Sequence, residues 1–447
     1  MQNAMSTNDE MKARVCEAID RRAEEIVGFA THILGNAEPG FREQKTSRFV
    51  REQFDALGLP HRDGLALTGV KAWSDGGTPG PSVAVIGELD SMIVAGHPYA
   101  DPETGAAHAC GHHCQIAMML GVAMGLRDSG AMAELAGRVI LFAVPAEELI
   151  EVEHRKELRD QGQVEFIGGK SELVRLGEFD DIDMAMMTHT AVTENGGKIR
   201  LPGTSNGLVV KHIQYLGRGA HAGGSPHKGI NALNAAMLGL QAVHALRETF
   251  RAEDTVRVHP IITHGGDAVS AVPADVRMET FVRGKNLEAV KQWDGKVDRA
   301  LRAGAMAVGA RVRITTMPGY LPLANNGDMA TIFHHNAASV VDGKHIKPGE
   351  HLTGSTDMGD LSHLMPAIHP YAMGATGTGH AADYLIEDYT LAVLNPAKAM
   401  AMTVIDLLAD GAAGAKEVKA KAKSSLSKSA YLKLMRGFAR EEEWAEG

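Results

Sequence analysis

Ser82-Val83-Ala84-Val85-Ile86-Gly87-Glu88-Leu89-Asp90 is a short, largely β-branched run that closes on two carboxylates. Continuous apolar character over so few residues reads as a strand buried on both faces. Open α/β sheets place their chemistry at such strand ends. The run therefore predicts an α/β fold with its acidic residues at the mouth of a site.

Working outward, other segments behave alike. Arg138-Val139-Ile140-Leu141-Phe142-Ala143-Val144 reads as a second buried strand, ending at Pro145-Ala146-Glu147-Glu148. Asp183-Met184-Ala185-Met186-Met187 leads into Thr188-His189-Thr190. Between the first two strands, Ala107-His108-Ala109-Cys110-Gly111-His112-His113-Cys114-Gln115 packs three histidines and two cysteines into nine positions. Both residue types bind zinc-class metals. Ile116 to Ser129 is helical in pattern, which places Cys110 and His112 on the loop entering a helix.

Taken alone, each signal has a plainer reading. A cysteine beside the apolar run Ile116-Ala117-Met118-Met119-Leu120 is also a small buried hydrophobe, and no Cys-x-x-Cys knuckle decides the point. An adjacent glutamate pair is also a solvated helix start, although the strand and Pro145 ahead of Glu147 and Glu148 favour a site. Separate segments nevertheless deliver thiol, imidazole and carboxylate groups, a set equipped to hold divalent metal beside a free carboxylate base. Asp90, Cys110 and the Glu147-Glu148 pair are the candidates for a ligand shared between two ions. His221 and His380 stand in glycine-rich loops, where backbone approaches a ligand closely, and rank above His108, His212, His227, His264, His363 and His369.

Length and composition bound the rest. A chain of 447 residues exceeds what one core usually supports, so two or three domains are expected. A net charge of −10 argues against a nucleic-acid binder. The basic run Lys416 to Lys428 reads as a solvated helix face. Three cysteines make no disulfide framework and fit a reducing compartment. Met1 to Arg14 lacks the apolar core of a signal peptide and no apolar run approaches a membrane span, so a cytoplasmic location is expected.

Helical periods run from Asn8 to Leu34 and from Gln44 to Leu57. Near Asn206 the pattern shifts. Strands at Leu208–Tyr215, Val256–Thr263, Asp275–Arg283 and Arg311–Met317 alternate with helices at Ile230–Arg251 and Leu287–Ala305. That order matches a ferredoxin-like arrangement, so 206–317 is expected as an inserted domain, with 1–205 and 318–447 forming the metal-binding catalytic domain. Leu391 to Leu408 reads as a long apolar helix, and the acidic tail Glu441 to Gly447 as peripheral.

The set Gly87-Glu88-Leu89-Asp90, His108-Ala109-Cys110-Gly111-His112, Pro145-Ala146-Glu147-Glu148, Thr188-His189, Gly217-Arg218-Gly219-Ala220-His221-Ala222 and Gly379-His380 resembles the aminoacylase and carboxypeptidase superfamily of dinuclear metallohydrolases. It is most similar to the amidohydrolase branch that includes hippurate, indole-acetyl-amino-acid and aminobenzoyl-glutamate hydrolases. The resemblance spans nearly the whole chain. It implies a mixed central sheet flanked by helices and a lid that also dimerises. It implies that Cys110 bridges two ions, that His112 and His189 serve one, and that Glu148 and His380 serve the other. It makes Glu147 the base, Asp90 the residue that orients a ligand, and His221 an oxyanion donor reaching into the neighbouring subunit. Arg283 falls in a strand where relatives carry an arginine and is a candidate substrate-binding residue.

The chain departs from the pattern at His113 and Gln115, where relatives commonly have Asp and His, and at Ser270, where they have Asn. His113 is therefore a candidate reporter of substrate choice. The reading that results is a hydrolase of an amide or other C–N bond in a small aromatic or N-acyl amino acid substrate. One or two divalent ions, manganese or zinc, serve each subunit of a homodimer or higher homo-oligomer. The alternatives are hydrolytic deamination of an aromatic amine, as in nitroanthranilate aminohydrolase, and a non-catalytic metal-binding protein.

Overall fold

The computed structural model describes residues 7–422 and 426–445. The opening run forms the strand Thr78–Glu88 in the middle of a six-stranded mixed sheet. It pairs in parallel with Ala136–Val144 on one side and with Met184–Met186 on the other. Gly69–Asp75 and His61–Leu65 extend the first side antiparallel, and Ala367–Ile368 closes the second side in parallel. Side chains alternate across a strand, so Val83 and Val85 enter one apolar layer with Ile19, Met119 and Val404. Ala84 and Ile86 enter the other with Phe142, Leu173 and Tyr431. Helices cover both faces, which is why the run is apolar without alternation. Because the three central strands are parallel, they end together, and Glu88, Val144 and Met186 release the chain at one edge of the sheet.

The helix after the Cys and His cluster is His112–Asp128, buried over its first fifteen residues. It starts earlier than expected, so His112 opens the helix and only Cys110 lies on the loop before it. The N-terminal helix expected as one is two, Thr7–Arg21 and Ala23–Leu34, separated where Arg22 leaves helical geometry (φ −104°, ψ 10°). The stretch Thr390–Lys421 is long and apolar enough to cross a membrane by length and composition, contrary to the sequence expectation, but 83% of its most apolar window is buried inside the protein. Backbone at Ala409, Asp410, Gly411 and Ala412 is not helical, so the segment is also broken.

The lid has the expected order. Its sheet runs Arg257–Val258, Asp275–Gly284, Gly207–Leu216, Arg311–Pro318, with Ile261–His264 also on Asp275–Gly284. Ala232–Leu246 and Leu287–Met306 pack together and contact these strands, each helix N-capped by an asparagine, Asn231 or Asn286. The strand expected over 256–263 is interrupted near Pro260, which has no N–H to give a ladder.

The acidic tail is not peripheral. Arg440–Trp444 adds an edge strand antiparallel to Arg311–Pro318. Glu443 meets Arg313 at 2.8 Å and Arg311 at 3.1 Å, and Glu442 meets Arg302 at 2.7 Å. The pairs of Glu443 with Arg311 and Arg313 are cross-strand opposite charges, which favour strand pairing, while Arg302 comes from the helix Leu287–Met306. Residues 446 and 447 of that tail, and 423–425 of the basic run, lie outside the described residues.

Candidate metal centre

The sheet edge delivers Asp90 fully buried between two of the sequence candidates. Its Oδ2 accepts from the Glu148 backbone N–H at 2.8 Å, and its Oδ1 lies 3.4 Å from His112 Nδ1. His112 Nδ1 also donates to the Asp90 carbonyl oxygen at 2.9 Å. The Nδ1 proton is thereby committed, which leaves Nε2 as the ring nitrogen available to an ion, the arrangement expected of a metal-bound imidazole. His189 is held the same way, Nδ1 donating to the Thr190 carbonyl at 2.6 Å while Nε2 stands 3.3 Å from Cys110 Sγ.

The backbone between Cys110 and His112 admits only glycine. Gly111 has φ +92°, and a Cβ there would fall 1.9 Å from Thr190 Oγ1. That hydroxyl ties the loop down, donating to the Cys110 carbonyl at 3.2 Å and lying 2.8 Å from the Tyr384 hydroxyl. The Glu147-Glu148 loop is clamped from below by Arg155, buried, which donates to the carbonyls of Ala146, Ile167 and Glu148. Tyr320 donates to the Glu147 carbonyl. His380 comes from the glycine-rich loop, with left-handed φ of +65°, and places Nε2 3.4 Å from Glu148 Oε1.

Three overlapping groups of potential ligands result: Cys110, His112 and His189; Cys110, Glu148 and His380; and Glu88, His112 and Glu147, each with one donor atom within 4.8 Å of the others. Cys110 belongs to two of them. His112 Nε2, Glu148 Oε1 and Asp90 Oδ1 are buried without a hydrogen-bond partner, a costly condition unless another group satisfies them. Burial, then Glu88 and Glu148, push the Glu147 carboxyl well above its usual range, and burial with Glu148 does the same to the Cys110 thiol. Burial opposes charge on His112, yet Glu88 and Cys110 outweigh it and hold that imidazole well above its usual value. The field of the cavity favours a cation.

The cavity, about 240 Å³, is lined by Cys110, Glu147, Glu148, His189, Arg283 and His380 among the sequence candidates. Asp90 and His112 are buried and do not line it, and two further candidates stand elsewhere. His113 turns into the core, its ring 5.1 Å from His108 and 6.4 Å from Tyr389, because helical geometry sends successive side chains in different directions. His221 is exposed on a lid loop, its Nδ1 accepting from the N–H groups of Gly223 (3.1 Å) and Gly224 (2.9 Å), so that Nε2 carries the proton and faces outward. Cys114 is a packed thiol.

Several residues were missed in the sequence. His369, without a defensible ligand context there, lines the cavity fully buried, its ring 5.7 Å from that of His189. Lys170, buried, bridges Glu88 (2.5 Å) and Asp357. Neither Lys170 nor Asp357 ends an apolar run, so no periodicity could have flagged them.

Residues 84–406 match the pattern of "Peptidase family M20/M25/M40". The chain belongs to that family. Among similar proteins, one named "Xaa-Arg dipeptidase" from Mus musculus is 27% identical, covering 89% of each chain. An "N-acyl-L-amino acid amidohydrolase" from Geobacillus stearothermophilus is 27% identical over 70% of this chain and 81% of its own. The fold is also that of a Bacillus subtilis protein described as a dinuclear metal binding peptidase of the M20 family, with TM-score 0.61, 20% identity, and coverage of 86% and 98%. An aminobenzoyl-glutamate utilization protein from Klebsiella pneumoniae superposes with TM-score 0.65 at 19% identity, over 88% and 98%.

Proposed function

We propose that this M20 protein is a metal-dependent hydrolase that cleaves the amide C–N bond of a small N-acyl or aminoacyl amino acid, with Glu147 as general base. One observation carries the reading: donor atoms of Cys110, His112, His189, Glu148 and His380 gather in two groups that share Cys110, and the buried His112 Nε2 and Glu148 Oε1 have no hydrogen-bond partner. Separations of 3.3 Å for Cys110 and His189 and 3.4 Å for His380 and Glu148 suit atoms that share an ion. The donor set fits divalent metal, which Cys110, His112, His189, Glu148 and His380 would hold, Cys110 being common to two of the groups. The thiolate and imidazoles suit zinc, and the carboxylate-rich remainder suits manganese. Ions bound there supply Lewis-acid polarisation of the carbonyl and acidify water.

The residues of the chain do the remainder. Glu147 takes the proton of the attacking water and returns it to the departing amine. Asp90 fixes the tautomer of His112 and the start of the Glu148 loop. Arg283, whose guanidinium makes no hydrogen bond or ion pair among the described residues, reaches the cavity from the lid and receives the substrate carboxylate. A second cavity of about 370 Å³ shares Arg283 and is walled by Leu149, Ile150, Val152 and Phe281, supporting an apolar or aromatic side group.

His221 is assigned the oxyanion donor, supplied by a partner subunit in a homodimer formed through the lid. Its free Nε2–H and the exposed lid residues Met237, Leu238, Ile261, Ile262 and Val269 support this arrangement. Elemental analysis coupled to a screen of N-acyl amino acids, dipeptides and aromatic amines tests the reading. Release of the amino acid with one or two divalent ions per chain is expected. Ammonia from an arylamine, without amide cleavage, overturns it in favour of a deaminase.

A further inference from the structure

Glu88 is the residue of the opening strand whose position the preceding roles leave unexplained. It is 1% exposed and clamped to the first turn of the helix that carries His112. Its N–H donates to Gln115 Oε1 at 3.1 Å, and Gln115 Nε2 donates back to Glu88 Oε2 at 2.9 Å. Oε1 is taken by the Lys170 ammonium at 2.5 Å. Lys170 is fixed in turn by the Asp357 carboxylate, which also accepts from the Lys170 backbone N–H at 3.2 Å.

With Oε1 neutralised, Oε2 lies 3.0 Å from His112 Nε2. The distance is that of a hydrogen bond, but the direction is not, and Nε2 has no hydrogen-bond partner. Two atoms set side by side rather than pointing at one another are arranged as neighbouring ligands. Donors about 2.1 Å from a common ion and at right angles stand about 3.0 Å apart. Glu147 completes the same group, within 4.8 Å.

We propose that Glu88 Oε2 is a further protein ligand, beyond the five assigned above, of the ion held by His112. The proposal rests on the reading of this cavity as a metal centre. Lys170 and Gln115 are positioning residues: the first occupies Oε1, and the second turns Oε2 toward His112. A carboxylate placed only to satisfy Lys170 would have no need to stand against the open nitrogen of His112. The pairing also accounts for Gln115, one of the departures from the family pattern. Its amide supplies both an acceptor for the Glu88 N–H and a donor for the carboxylate.

The test uses full-length protein. Zinc-loaded crystals of the unaltered chain, with ions located by anomalous scattering, are expected to place Glu88 Oε2 within about 2.3 Å of the ion at His112; a separation beyond about 3 Å overturns the proposal. In solution, metal-depleted protein and the near-isosteric Glu88→Gln variant are titrated with Zn2+ against a chromogenic chelator. At least about a 10-fold loss of affinity at one ion is expected, with the other retained; equal affinity at both also overturns it. If the unaltered chain takes up no divalent ion, the reading of the cavity itself fails. If it binds two ions and Glu88 stands away from both, only this inference fails.

Discussion

The two walls of the cavity are built on opposite terms. On the side of the central sheet most of the candidate ligand residues are already held by the protein. His112 and His189 have Nδ1 committed to carbonyls, Glu148 is fixed through its N–H to Asp90, and Glu88 is gripped by Lys170 and Gln115. On the lid side, Arg283 and His221 present donors that the chain leaves open. The difference separates chemistry from recognition. Groups that must meet an ion need fixed geometry, which low-dielectric burial and short backbone bonds supply. Groups that meet substrate or a second subunit gain from having no competing partner.

Substitutions on the two walls should therefore fail in different ways. Glu147→Gln is expected to lower kcat by about 10²- to 10⁴-fold with metal content unchanged by elemental analysis. Loss of the metals along with the activity would make Glu147 a ligand instead. Lys170→Met, on the same wall, leaves Glu88 and Asp357 buried without their cation. It should cost about 3–5 kcal/mol of stability in denaturant unfolding of the metal-depleted protein, and a change under about 1 kcal/mol would mean the network relaxes into solvent.

On the lid, His221→Ala should reduce kcat by about 10²- to 10³-fold while unfolding and metal content stay as in the unaltered chain. Mixing this variant with Glu147→Gln should restore activity if the histidine serves a partner's cavity. Failure to complement returns His221 to an action within its own chain or none. Arg283→Ala should raise KM about 10- to 100-fold, the worth of a charge-assisted carboxylate contact, with kcat nearly kept. An equal fall in kcat would instead place the guanidinium at the reacting carbonyl.

Much of this was legible in one dimension. The parallel strands and the segments bearing Asp90, Glu147, Glu148 and His189 announce themselves as apolar runs ending in polar residues, the Cys110 segment as a cluster of histidine and cysteine, and the lid by the order of its elements. Burial on both faces removes alternation, and strand ends in a parallel sheet coincide. The direction of side chains was less legible. His112 and His113 are indistinguishable as letters, yet the helix start at His112 turns one toward Glu88 and Asp90 and the other toward His108. The acidic tail resembled a solvated terminus until the sheet set arginines opposite it.

By itself, then, the sequence determined which residue types are available to the site and which elements carry them, because hydrophobic period and capping are local properties of the chain. Only the tertiary structure decided which carboxylates share the cavity. Glu88, Lys170 and Asp357 come from a strand end, a helix start and a distant loop, and their charges are compatible with burial only because folding brings them into contact. No local pattern records that contact. The opening run thus foretold a strand ending in acid, but the neighbour that gives Glu88 its bearing, His112 at 3.0 Å, is supplied by the fold.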